Sequence, residues 1–162
     1  MRSNFAVAFA IGLACIAIAV AGIFYMQRGS RIELPGKILK VRTAALDDQS
    51  SIAVIDFRIS NPSNILFEVR TVTAQMEGSD GSISEGQVTS DSDAARVMQV
   101  LPVLGEKYNK TLMVKERIGA HGSADRMAAV RFEVPLEKLE ARRRLTVRIE
   151  EVDGKVFEYA DR

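Results

Sequence analysis

Site chemistry needs several suitable side chains close together, and this sequence supplies few. His121 is the only histidine and Cys15 the only cysteine in 162 residues. A Ser-His-Asp arrangement has one imidazole to draw on, and neither an intramolecular disulfide nor a Cys-rich zinc site has its ligands. His121 stands between Ala120 and Gly122 in what reads as a turn. A lone imidazole there lacks partners for acid–base work and reads as a solvated loop residue. Asp91 with Asp93, and Glu150 and Glu151 with Asp153, raise the question of calcium. Neither group has the Asp-x-Asx-x-Asx-Gly spacing, and acids at a helix start or beside a hairpin turn have structural explanations. Arg142-Arg143-Arg144 is the densest basic run. Its functional reading is contact with anionic headgroups, but three bases fall short of the usual cluster of about 4–8, so an exposed turn before a strand explains it better. No phosphate-binding glycine loop, nucleophile elbow or dinucleotide fingerprint is present. The sequence thus names no catalytic, cofactor-binding or metal-binding residue, and a non-enzymatic protein is expected.

Composition separates the chain into two unlike parts. Of residues 5–26, 20 are hydrophobic and the other two are glycines, while only 56 of the remaining 140 residues are apolar. Arg2, Arg28 and Arg31 are the only charges in the first 31 positions, and residues 32–162 carry 19 bases against 21 acids. This excludes a basic nucleic-acid module. A remainder that is 40% apolar also argues against a disordered tail.

Residues 5–26 read as a transmembrane helix or uncleaved signal anchor, since 22 residues would rise about 33 Å against a hydrocarbon core of about 30 Å. Two other readings compete. Cleavage after Ala17-Ile18-Ala19 or Ala19-Val20-Ala21 would leave a greasy new terminus, and the apolar run exceeds the ~7–15 residues usual for a signal peptide. Lipidation at Cys15 is opposed by Gly12, which stands where an apolar residue belongs, and by the second apolar stretch after Cys15. The bland role of Cys15 is a small apolar residue within the helix. The lipid bilayer is the expected partner of 5–26. Flanking charge is nearly balanced, and a leader of this form exports the domain behind it, so an extracytoplasmic (periplasmic) domain is expected with the cytoplasmic side open.

A linker over 27–35 leads to a domain over 36–162, where period-two patterning dominates. Ala53, Ile55, Phe57 and Ile59 share one face, while Asp56 and Arg58 point away. Ile65 to Glu77 is the longest strand candidate, with a parity change that a bulge near Arg70-Thr71 explains. Asp91 to Leu101 has helical spacing at Ala94, Val97, Met98 and Leu101, stopped by Pro102 and Gly105. Strands continue over Thr111–Lys115, Ala128–Val134 and Leu145–Ile149, with a turn of helix from Pro135 to Ala141. Asp153-Gly154 predicts a type I′ hairpin turn. Six or seven short strands with regular turns indicate an all-β, immunoglobulin-like β-sandwich with one short inserted helix. Phe57, Phe67, Tyr108, Phe132, Phe157 and Tyr159 are its expected aromatic core.

The stretch Phe57-Arg58-Ile59-Ser60-Asn61-Pro62, then Phe67 to Thr73 and the turn glycine Gly78, resembles the group 2 late embryogenesis abundant proteins and their water-stress (WHy) domain. Ile118 to Ser123 stands where that family has a small-residue turn. The likeness covers residues 36–134, and the segment 91–104 and Lys115-Glu116-Arg117 depart from the family's shorter loop. The resemblance implies a globular sandwich without a catalytic site and a link to stress protection. The expectation is therefore a membrane-anchored, non-catalytic sandwich with an interaction or stress-protection role in the cell envelope. The alternative is an accessory or assembly subunit of a membrane complex, docking through the sandwich or the 91–104 helix onto an unidentified protein partner.

Overall fold

Ala53, Ile55, Phe57 and Ile59 point to one side of an extended chain, and this apolar row fixes the centre of the fold. A computed structural model describes the backbone of residues 2–27 and 33–161, and side chains at 9, 11–25 and 33–161. The first element is α1 (Arg2–Gln27). The strands are β1 (Gly36–Ala45), β2 (Ser51–Ser60), β3 (Phe67–Glu77), β4 (Ile83–Val88), β5 (Lys110–Thr111), β6 (Arg117–Ile118), β7 (Ser123–Phe132), β8 (Arg144–Glu151) and β9 (Val156–Asp161). Between β4 and β5 lie α2 (Asp91–Val100) and a 3-10 turn (Pro102–Leu104), and α3 (Leu136–Glu140) precedes β8.

The main strand order is β1-β2-β7-β4-β3-β8-β9, with β5 paired to β7 and β6 to β3. β4 is the seam: it pairs with β3 through Ile83–Gly86 and with β7 through Gln87–Val88. The strands fold into a sandwich whose halves are joined through that seam, rather than the two separate sheets of an immunoglobulin-like arrangement. Gly86 permits the crossing, since a Cβ there would lie 2.3 Å from Val130 Cγ1 and 2.6 Å from Phe132 Cε1. The outer strands β1 and β9 lie against each other. There the Tyr159 hydroxyl donates to the Leu34 carbonyl at 2.6 Å, and burial pushes its pKa up.

Two apolar clusters hold the layers. Phe57, Phe67, Phe132, Met76, Leu145 and Ile149 are buried between the sheets. On the outer side of β2 and β7, Ile52, Val54, Met127 and Ala129 are covered by Ala94, Met98 and Leu104. Ser90 caps α2, its hydroxyl accepting from the Asp93 amide.

Several expectations are corrected. A helix forms over the apolar leader, but among the described residues no helix is long and apolar enough to cross a membrane. The transmembrane helix expected over 5–26 is therefore not found. The linker expected over 27–35 falls largely on 28–32, outside the described residues. β4 is a strand that sequence patterning missed. Tyr108 is 68% exposed and not in the core. Of the hairpin pair, only Gly154 has positive φ (86°), so the turn is a four-residue loop closed by Gly154 N–H to Glu151 O. The bulge near Arg70 is present, because the β3–β8 register shifts between Val69 and Thr71.

Candidate interaction surface

The structure disperses the groups that raised chemical readings. His121 is exposed at φ 56°; its Nε2 lies 2.8 Å from Asn64 Oδ1, and its amide donates to Ser63 O. Asp91 Oδ1 accepts from Lys107 Nζ at 2.5 Å and from the Thr111 amide at 2.9 Å. Those bonds lower its pKa to about 2. Asp93 pairs with Arg96 and bonds the Ser90 hydroxyl. Glu150 pairs with Arg70, whereas Glu151 is buried, and burial with the nearby Asp153 charge raises its pKa. Arg142 pairs with Asp161 and Arg143 with Glu77, while Arg144 begins β8 opposite Glu77. Two of the three arginines are thus engaged in ion pairs. Cys15 is exposed on α1. Among the described residues, no three His, Cys, Asp or Glu side chains gather as a metal site.

One polar cluster is buried where the sequence indicated an outward-facing Asp56. Arg42 and Asp56 have side chains only 7% and 6% exposed and meet at 2.7 Å. Arg42 Nη1 also donates to the carbonyls of Leu104 and Glu106 at 2.5 and 2.8 Å. Asn109 Nδ2 donates to the second Asp56 oxygen at 2.8 Å. The Tyr108 ring lies 5.7 Å from the guanidinium. The ion pair joins β1 to β2 and the other contacts fasten the 104–109 segment onto it, so this is a structural clasp. Beside it, an apolar groove of about 440 Å³ runs between α2 and the following turn, lined by Ala95, Met98, Pro102 and Gly105.

The other concentration of unusual features is at one end of the sandwich. There β2 ends, β3 and β7 begin, and β8 turns into β9. The start of β3 is flanked on one side by 115–118, through Val69 N–H to Glu116 O and Lys115 N–H to Val69 O. On its other side Val152 N–H reaches Glu68 O. Loops 61–66, 112–122 and 152–155 are thereby held around one strand. Their tips and margins expose Ile65, Leu66, Met113, Val114, Val152 and Val156, with Val114 at 56%. Both non-glycine residues with positive φ among the described residues, Lys115 (66°) and His121 (56°), lie here. Such conformations persist only where surrounding bonds over-determine them.

Asn61 is the knot of this end. Fully buried, it donates from Nδ2 to the carbonyls of Ile65, Ile118 and Gly119 at 2.8, 3.1 and 3.1 Å. Its Oδ1 accepts from the Ser63 amide and hydroxyl at 3.1 and 2.5 Å. The Asn61-Pro62 pair and the 118–122 turn, distant in sequence, therefore meet through one amide. The opposite end differs in character. Loops 46–50, 78–82 and 133–143 tie charges together there, as in Lys138 with Asp80 and Arg143 with Glu77. Among the described residues, only Leu46 and Ile83 are large exposed apolar side chains at that end.

No protein-family model and no curated protein matches the chain. Three solved structures align with most of it. One is an uncharacterized β-sandwich protein from Clostridium difficile 630, 13% identical over 82% of each chain, with a TM-score of 0.37. A structural-genomics target aligns at 12% identity over 82% of this chain and 81% of its own, with a TM-score of 0.36. The archaellum periplasmic stator protein FlaG from Sulfolobus acidocaldarius aligns at 9% identity over 81% of this chain and all of its own, with a TM-score of 0.34.

Proposed function

We propose that this chain is a non-catalytic β-sandwich whose work is binding through the end formed by loops 61–66, 112–122 and 152–155. The observation that carries this reading is the asymmetry between the ends. Five large apolar side chains stand exposed on three pinned loops at one end, with Val156 beside them at the start of β9, against two at the other end. Exposed apolar groups gathered on one patch, rather than scattered, are the usual mark of an interaction site. The resemblance to water-stress proteins adds stress protection as a physiological setting, and that part rests on the resemblance alone.

Docking through the 91–104 helix is less well supported. Met98 is buried, and Val97 and Leu101 pack against the cluster under α2. The apolar face of that helix is used to cover β2 and β7, leaving Val100 and Val103 outside.

Cysteine protection tests the reading, since Cys15 is the only native cysteine. In a Cys15→Ala background, Val114→Cys and Leu66→Cys variants should be shielded from maleimide in cells and become reactive on purification. Ile83→Cys should react equally in both settings. Equal reactivity of all three in cells would overturn the proposal.

A further inference from the structure

We infer that the occupant of this end is a lipid headgroup layer, into which the three apolar loop tips dip; the inference rests on the binding reading above. The apolar groups come from three separate loops around the start of β3, and none of them lines the grooves against α2 or beside Arg58 and Asp125. A fluid interface conforms to separate apolar tips without a matching concave surface.

The backbone at the tips is already provided for. Asn61 holds the Ile65 carbonyl, the Met113 amide donates to Glu116 Oε2 at 3.2 Å, and Gly154 N–H closes its turn on Glu151 O. Side chains can therefore enter an apolar region while these polar groups keep partners, which lowers the cost of leaving water. Charge is nearly balanced. Lys115, Arg117 and Lys155 stand against Glu116 and Asp153 in the surrounding loops. A zwitterionic layer suits that balance, and clustered bases of the kind that select anionic lipid are absent from these loops. The chain also enters the sandwich at this end, where Ser60 N–H bonds Pro35 O.

The sequence contains no tryptophan, so single insertions report without background. Val114→Trp, Leu66→Trp, Val152→Trp and, at the far end, Ile83→Trp would each be made in the full chain. Each variant would be mixed with phosphatidylcholine vesicles carrying brominated acyl chains, after circular dichroism has confirmed the fold. The expected result is a blue shift and quenching at 114, 66 and 152 but not at 83, nearly unchanged by added anionic lipid or salt. Adding Leu66→Asp to Val114→Trp should lower partitioning about tenfold, as expected for losing one partly exposed Leu from an apolar contact. Absence of quenching at all three tip positions, or equal quenching at 83, would overturn the inference. If the Val114→Cys variant is shielded in cells while the Val114→Trp variant stays unquenched, a protein covers the tips, and only the lipid inference fails. If neither effect is seen, both readings fail.

Discussion

Removing the carboxylate of Asp56 should be among the most damaging single changes in the domain, although Asp56 lies outside the proposed surface. In an Asp56→Ala variant the Arg42 guanidinium stays under Leu104 and Tyr108 with its ion-pair partner gone. Its Nε has no hydrogen-bond partner even in the intact protein. Breaking a buried ion pair by deleting one member costs about 3–5 kcal/mol, because the remaining charge is uncompensated. Against a total stability of about 5–15 kcal/mol this is a large share, and at about 2–4 °C per kcal/mol it lowers Tm by roughly 6–20 °C. Asn109 loses its acceptor as well, so the damage should begin locally. Urea unfolding followed by circular dichroism gives the global loss, and amide hydrogen exchange should show 104–109 opening before β2 and β7. The double variant Arg42→Met with Asp56→Leu removes both charges and should recover much of the stability. A cost below about 1 kcal/mol for Asp56→Ala, far under the usual range for a broken buried pair, would refute the clasp. So would a double variant as unstable as the sum of the single changes.

Three further outcomes are expected from the geometry. Gly86→Ala should cost about 1–3 kcal/mol in denaturant unfolding, the usual range for overpacking, because the new methyl meets Val130 and Phe132 where β4 crosses between the sheets; a neutral result would remove the close crossing. Asn61→Ala should cost about 3 kcal/mol, since it strips partners from several buried or partly buried groups at once, and exchange should accelerate in both 61–66 and 118–122; acceleration in only one loop would contradict its role as the knot. Asp91 has a folded pKa of about 2 against an ordinary 3.8, so its carboxylate contributes stability that is present above about pH 4 and lost as pH falls towards 2. Asp91→Asn should flatten that part of the acid limb, as read from urea midpoints between pH 5 and 2, and an unchanged acid slope would contradict the Lys107 and Thr111 bonding.

Much of the sandwich could be read from alternation alone. Ala53 to Ile59 and Leu145 to Ile149 each place every second residue in the core, and the parity change after Val69 marks a bulge that the β3–β8 register contains. β4 escaped notice because its residues are half exposed and it contains a glycine, so neither propensity nor burial marks it. Asp56 read as outward, which is true of the main core. The segment that buries it returns from about fifty residues away, and nothing local announces that cover. The binding end was hidden for a similar reason, since its side chains lie up to about ninety positions apart and form no motif. A usable local sign did exist. Ile65-Leu66 and Met113-Val114 are adjacent apolar pairs at turns, and two neighbours in an extended chain cannot both face the core. The helix over the leader was legible too, but its spanning a membrane was not supported among the described residues.

Photo-crosslinking in living cells tests the central claim most directly, with a photoreactive amino acid replacing Val114 at the three-loop end or Ile83 at the opposite end. The prediction is adducts, to lipid or to protein, that form from position 114 and not from 83. Adducts from neither position, or equally from both, would contradict a binding function for that end of the sandwich.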